Sequence, residues 1–374
     1  MKKEKLLLIL HYSPPLHGAS KIGDFIKNSE RIKQFFTTRY VKLVSSETLG
    51  EIGLFNVKKI VLFISLFFHI LIELIHFRPN KIYYTASPSG IAFYRDLINS
   101  ILLKLYKSLT GATLYFHYQA RGIKAFTSQS SIALYLTRLF LNDTNIILLS
   151  ATLQTELSHI HNYRNLFFIP NCAETILSDS EFEEYIQKKD FAFCPARILY
   201  LSNMIKEKGY WEVLELAKKL KDEGLDNVQF DFAGGWQCQK DQDEFLNYIA
   251  RHGLEKITRY HGVAIGERKK QLFQQAHLFV FPTLYAKETF GIVVIEAFSY
   301  GVPVISTSVG ALKEIVDATS GVSIDNPAEL YDALMGALKT HVNLETARYC
   351  RERFLSRYTL EQFERNFIQT LSKG

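Results

Sequence analysis

Five short apolar runs dominate the second half of the chain: RILYLS (197–202), VQFDFAG (228–234), ITRYHG (257–262), HLFVFP (277–282) and PVIST (303–307). Helical segments near 210–221, 241–252, 267–275, 291–300 and 327–340 alternate with them. Strands this short and this apolar must be covered on both faces. Alternation with helices supplies the cover, so the pattern predicts a parallel sheet between two helical layers. Ligands of such sheets sit at the carboxyl ends of the strands. The first half repeats the pattern more loosely, with strands at 5–10, 41–46, 81–86, 113–118, 145–150 and 166–170. Helices are expected near 20–36, over 60–77 and through YRDLINSILLKLYK.

A chain of 374 residues, 47% hydrophobic and 22% charged, is large enough for two such domains. The acidic stretch SDSEFEEYIQKKD marks the change between them. The expected domains are 1–175 and 190–355, with a closing amphipathic helix in 356–374 that packs back toward the first domain. Residues 1–170 hold 20 Lys and Arg against 9 Asp and Glu, while 171–374 hold 24 against 29. A basic first half calls for an anionic partner, either a phosphate-bearing substrate or an acidic membrane surface. The cations are scattered and no nucleic-acid motif is present, which puts nucleic acid last.

Cys172, Cys194, Cys238 and Cys350 form no CxxC pair and read as reduced thiols. Lys2, Lys3 and Lys5 before LLLIL imitate a signal peptide, but HYSPP follows at once, so the run reads as a first strand. The apolar run 60–77 is interrupted by His69 and Glu73. It reads as a buried helix or one lying on a bilayer rather than spanning it. A cytoplasmic protein at the inner face of the cell membrane fits these features. Neither a Gly-x-Gly-x-x-Gly after the first strand nor a Walker loop is present, against nicotinamide and ATPase chemistry.

The chemistry concentrates in FPTLYAKETFGIVVIEAFSYGVPVIST (281–307). A strand ends at Pro282-Thr283, a loop carries Glu288, and Phe290-Gly291 opens a helix. The glycine lets backbone amides approach an anion, and a helix start supplies free N–H groups, which suits a diphosphate. Glu288 can accept hydrogen bonds from sugar hydroxyls. Glu296 lies among Val294, Ile295, Ala297 and Phe298 and needs partners there; a vicinal diol such as a ribose offers two donors.

This stretch resembles the Glu-x7-Glu motif of retaining glycosyltransferases of the glycosyltransferase family 4 (group 1) type, with Gly310 and Glu314 following in the same pattern. The resemblance implies a GT-B fold, two Rossmann-like doubly wound domains facing across a cleft. It implies a hexose-type sugar moved from a UDP- or GDP-linked donor to a hydroxyl of a glycan or lipid-linked glycan, in cell-surface polysaccharide synthesis. It assigns the donor sugar to Glu288, the ribose to Glu296, and sugar and phosphate to the amides of Phe290, Gly291 and Ile292. SNMIKEKG is similar to the family's G-R-x-x-x-x-K-G segment. Lys208 then meets the leaving diphosphate, while Asn203 stands where the family has Arg; an amide lacks the bidentate, charged grip. Lys206 is a second cation nearby.

FAGGW places Gly234 at a strand end near the nucleotide, though turn glycines explain it equally well, and His261-Gly262 has the same status. In the first half, PPLHGAS resembles the family's glycine loop through Gly18. YFHYQARG puts His117 at a strand end, where the family's histidine contacts the donor sugar, and Arg121 in position for an acceptor phosphate. Arg95-Asp96 reads equally as a helix salt bridge. Asp241-Gln242-Asp243 imitates a metal-binding D-x-D but sits in the first turn of a helix, where acids are favoured. The resemblance implies a metal-independent enzyme. A weak or inactive sugar-nucleotide binder and a nucleotide-sugar 2-epimerase are the alternative readings.

Overall fold

Leu6 to Leu10 are at most 1% exposed, as a strand covered on both faces must be. In the computed structural model, which describes residues 3–14, 18–43, 57–192, 195–225 and 227–373, they belong to β1 (Glu4–Leu10). With β2 (Phe36–Lys42), β3 (Lys81–Ala86), β4 (Thr113–Tyr118), β5 (Asn145–Leu148) and β6 (Asn165–Phe168) they form a sheet of order β2-β1-β3-β4-β5-β6. Every pairing in it is parallel. A second parallel sheet is built from β7 (Ala196–Leu201), β8 (Val228–Ala233), β9 (Thr258–Tyr260), β10 (Leu278–Phe281), β11 (Val304–Thr307) and β12 (Gly321–Ile324), in the order β12-β11-β10-β7-β8-β9. The chain divides into unit 1, residues 1–172 with 360–374, and unit 2, residues 173–359.

The second strand corrects the sequence reading. It spans 36–42 instead of 41–46, and 44–46 lie outside the described residues, as does Cys194. FTTRYVK is an edge strand whose burial rises and falls along its length, so it lacks the continuous apolar run that betrays the inner strands. The helix read as 20–36 is two helices, Gly18–Asn28 and Glu30–Phe35. Ser29 divides them, its hydroxyl capping the second through the Ile32 N–H at 3.0 Å. Helices Ile123–Thr127, Ser131–Leu141 and Leu344–Arg357 and strand β12 were not anticipated. The acidic stretch is a helix, Asp179–Lys188, closed by a capping box between Ser178 and Glu181.

The two faces of the unit 1 sheet carry different helices. Right-handed crossovers between strands that advance across the sheet in one direction place the helices Val57–Phe77, Gly90–Thr110 and Ser131–Leu141 on one face. Phe116 of β4 stacks on Phe140 there, 4.6 Å between centroids. The helix Leu360–Ser372 covers the other face: Phe367 packs on Tyr83 at 5.2 Å, and the Leu371 carbonyl accepts from Lys81 Nζ and the Tyr115 hydroxyl.

Candidate functional site

Unit 2 reverses its strand order between β7 and β10, and a crevice opens outside the carboxyl ends at such a point. The loop after β7 is anchored by the Met204 N–H on the Gly235 carbonyl (2.8 Å) and makes one turn of 3-10 helix, Lys206–Lys208. Gly209 closes that turn at φ 91°. A Cβ there would sit 2.6 Å from the Pro282 carbonyl oxygen, so only glycine lets this loop press against the end of β10. The Leu284 N–H then donates to the Glu207 carbonyl at 2.8 Å, joining the two loops.

That junction brings Lys208 Nζ to 3.2 Å from Glu288 Oε2, with the side chains 18% and 11% exposed. The ammonium also lies 5.5 Å from the Tyr285 ring centroid. Glu288 Oε2 is within ion-pair reach of the lysine yet makes no hydrogen bond among the described residues. A buried carboxylate oxygen in that condition is prepared for a hydroxyl donor. Three residues on, Gly291 takes φ 70° and caps the helix Ile292–Ser299, while Phe290 is buried edge-on against Tyr358. No acidic side chain occupies the first turn of this helix. Gly310 completes the loop: a Cβ on it would meet the Thr289 carbonyl at 2.7 Å, and the Ala311 N–H donates to that carbonyl at 2.9 Å.

One turn into the helix, Glu296 Oε2 lies 2.5 Å from Lys269 Nζ of the helix Gly266–Gln275. Lys269 is the residue the sequence reading missed. The only signal was indirect: an acid in apolar company must be paired, and ERKK was the nearby run of cations. Asn203 is exposed at the end of β7, and Gly234 stands at the end of the adjacent β8. Gly234 has φ 153°, and a Cβ on it would overlap the Ser202 carbonyl oxygen at 1.7 Å, so the two strand ends touch. Lys206 turns to other company, 4.8 Å above the Trp211 ring and 4.0 Å from Glu244. His261 pairs with Asp231 at 2.7 Å. Asp241 falls in the first turn of the helix Gln239–His252.

In unit 1 the strand order reverses between β1 and β3. Gly18 is exposed at the start of its helix. The glycine of close approach is Gly23, where a Cβ would lie 1.7 Å from the His11 carbonyl oxygen. The loop after β3 is held by Asp96, a fully buried carboxylate that accepts from the Tyr84 hydroxyl (2.6 Å), the Ser87 N–H (2.8 Å) and Arg95 Nε (2.8 Å). Arg121 pairs with Glu156 at 3.2 Å, and the same carboxylate takes the Gly122 and Lys124 N–H groups.

His117 is fully buried on the face covered by the C-terminal helix, and burial pushes its pKa down to about 3. Burial pushes the Tyr83 phenol up, so its hydroxyl stays protonated, 2.6 Å from Nδ1. The Gln119 amide sits 3.2 Å from Nε2, and its own oxygen is otherwise unsatisfied. The imidazole is therefore a neutral hydrogen-bonding group at pH 7. We predict a consequence for stability. Above pH 6.5 the burial of neutral His117 costs no protonation energy; as pH falls from 6.5 toward 3 the unfolded state binds a proton that the folded state refuses. Stability should drop by roughly 1 kcal/mol per pH unit across that window. Denaturant titrations at stepped pH should show this slope reduced in His117→Gln; an unchanged slope would show that His117 does not contribute it.

Residues 181–353 match the family model described as Glycosyl transferases group 1. An uncharacterized glycosyltransferase of Methanocaldococcus jannaschii is 31% identical over 119 residues, 32% of this chain and 29% of that protein. The O-antigen chain mannosyltransferase B of Escherichia coli is 29% identical over 137 residues, 36% of this chain and 34% of that protein. The matched segments thus span about a third of the length of these curated relatives. Among solved structures, a glycosyltransferase from Rickettsia africae aligns with a TM-score of 0.71 at 14% identity, covering 100% of this chain and 99% of that one. Anabaena HepE in complex with UDP aligns with a TM-score of 0.69 at 16% identity, covering 99% and 100%. The two six-stranded parallel sheets with their flanking helices are the GT-B fold.

Proposed function

We propose that the chain is a retaining glycosyltransferase of the family 4 type. In this reading it moves a hexose-type sugar from a UDP- or GDP-linked donor to a hydroxyl of a glycan or lipid-linked glycan in polysaccharide synthesis. The observation that carries the reading is the Lys208–Glu288 pair, 3.2 Å apart at the strand-order reversal of unit 2, beside a helix start free of acidic side chains. We assign the donor to unit 2 and the acceptor to unit 1, with Arg121 for an acceptor phosphate. The relatives support sugar chemistry on glycans: one is a mannosyltransferase of O-antigen chains, and HepE has been solved with UDP-glucose.

The step breaks the bond from the anomeric carbon to the diphosphate oxygen and forms one from that carbon to the acceptor oxygen. The acceptor's proton passes to the departing phosphate, so nucleoside diphosphate and glycoside are the only products. Lys208 and the amides of Phe290, Gly291 and Ile292 stabilise the charge that grows on the diphosphate, which is the dominant kind of catalytic term in such a site. No metal ion is needed in this reading. Glu288 orients the sugar through its hydroxyls, and Glu296, steadied by Lys269, takes the ribose diol. His117, fully buried and hydrogen-bonded to Tyr83 and Gln119, is assigned no contact with the sugar.

A panel of UDP- and GDP-sugars titrated calorimetrically into the full chain should identify one donor that binds and, with an acceptor glycan, is consumed. The anomeric coupling in the product's NMR spectrum should equal that of the donor. If no nucleotide sugar binds, the donor-site reading fails; an inverted product overturns retention alone.

A further inference from the structure

A helix that covers one face of a sheet needs one apolar stripe. The helix Gly90–Thr110 has two. Its inner stripe, with Phe93 and Leu103, packs into the core. Its outer stripe runs Ile91, Tyr94, Ile98, Ile101, Leu105, Leu109 at helical spacing, and every member is exposed, Leu109 at 78%. The neighbouring helix Val57–Phe77 repeats the arrangement: Leu66, Ile70 and Leu74 face inward, and Ile64, Phe68, Ile72 and Ile75 face out. The helix Ser131–Leu141, on the other side, presents Ile132, Tyr135 and Leu139. The three helices lie in contact on one face of the unit 1 sheet. Each 21-residue helix is about 30 Å long, so the apolar outer surface is far broader than a soluble monomer ordinarily exposes.

The charges around this surface are mostly positive. Among the described residues of the three helices, the carboxylates are Asp96, fully buried, and Glu73, 19% exposed beside His69. Arg95 and Lys107 pair with carboxylates, whereas three cations are held by neutral carbonyl oxygens: Lys104 by that of Leu139, Arg138 by that of His159 at 3.0 Å, and Arg78, just past its helix, by that of Ile75 at 3.3 Å. Their charge is not cancelled by these partners. Asp143, beyond the end of the third helix, is neutralised by Lys107 at 2.5 Å. A second copy docked here would set like charges against like. None of the described helices is long and apolar enough to cross a membrane.

We propose that the outer faces of the helices Val57–Phe77, Gly90–Thr110 and Ser131–Leu141 form a docking surface for an anionic lipid bilayer, on which unit 1 lies without spanning it. Apolar side chains enter the headgroup boundary and the surrounding cations meet acidic lipid headgroups. The proposal uses the unit 1 surface alone and stands or falls separately from the donor site.

The test is flotation of the full chain with vesicles of phosphatidylcholine and of phosphatidylcholine mixed with phosphatidylglycerol. The chain should float with the mixed vesicles, less so with the neutral ones, and high salt should weaken the binding. The double variant Ile101→Glu and Leu105→Glu, at outward positions that leave the core intact, should lose about tenfold or more in partitioning. Leu246→Glu, at an exposed leucine of unit 2, should float as the unaltered chain does, and nucleotide-sugar binding should be the same in all three. A chain that stays at the bottom with mixed vesicles, or a double variant that floats undiminished, overturns the proposal. So does light scattering that finds a dimer dispersed by the double variant when no vesicle binding is seen.

Discussion

Glu288→Gln and Lys208→Ala are each expected to abolish sugar transfer while the protein stays folded. The two side chains meet at 3.2 Å where the loops after β7 and β10 are tied together by Gly209 and by the Glu207–Leu284 hydrogen bond. In the proposed reaction, negative charge grows on the leaving diphosphate, and Lys208 is the side-chain cation placed to meet it. Removing one preorganised group of this kind costs roughly a hundredfold to a thousandfold in kcat. The glutamine keeps the shape of Glu288 but loses the charge-assisted hydrogen bonds to sugar hydroxyls, so Glu288→Gln should raise KM as well as lower kcat. Lys206→Ala is the control. Lys206 is two residues away, over Trp211 and near Glu244, and its removal should leave kcat within about twofold if position rather than local charge is what matters. Circular dichroism melts of all three variants establish that they fold. Full transfer activity in Glu288→Gln or in Lys208→Ala sinks the site assignment.

What could be read from sequence follows burial. The central strands β1, β3, β4, β5, β7, β8, β10 and β11 were placed within a residue or two, because a strand covered on both faces is a short apolar run bounded by turn residues. The edges divided: β6 and β9 were placed as closely, whereas FTTRYVK was displaced and GVSI, a short strand of interrupted burial, was missed. The candidate site divides similarly. Local signals such as the loop carrying Glu288, the glycine before the helix and the lysine before Gly209 lie in consecutive residues. The pairings Glu296–Lys269 and Arg121–Glu156 join residues 27 and 35 positions apart, and no local pattern encodes them. The outer apolar stripe of the helix Gly90–Thr110 was hidden for another reason. Two opposed stripes on one helix blur the periodicity on which the reading of a helix face depends.

The largest expected effect on stability belongs to a residue with no part in the donor site. Asp96→Ala should destabilise unit 1 by about 3 kcal/mol or more. Asp96 is fully buried and gathers three donors: the Tyr84 hydroxyl, the Ser87 N–H and Arg95 Nε. Each comes from a different structural source, respectively a central strand, the loop at the strand-order reversal and the helix that follows it. Alanine leaves the first two facing a cavity, at about 1–3 kcal/mol for each buried group left without its partner, and takes the carboxylate away from a guanidinium 2.7 Å distant. Asp96→Asn keeps one acceptor oxygen for the three donors and should lose less. Both tryptophans, Trp211 and Trp236, lie in unit 2, so their fluorescence follows unit 2, and the part of the far-UV circular dichroism transition in denaturant that it does not share belongs to unit 1. An Asp96→Ala chain within about 1 kcal/mol of the unaltered protein would be behaving like an ordinary surface variant. The carboxylate would then not be what fixes the Ser87 loop. The expected ordering, alanine well below asparagine and asparagine below aspartate, is what a single buried charge shared by strand, loop and helix requires.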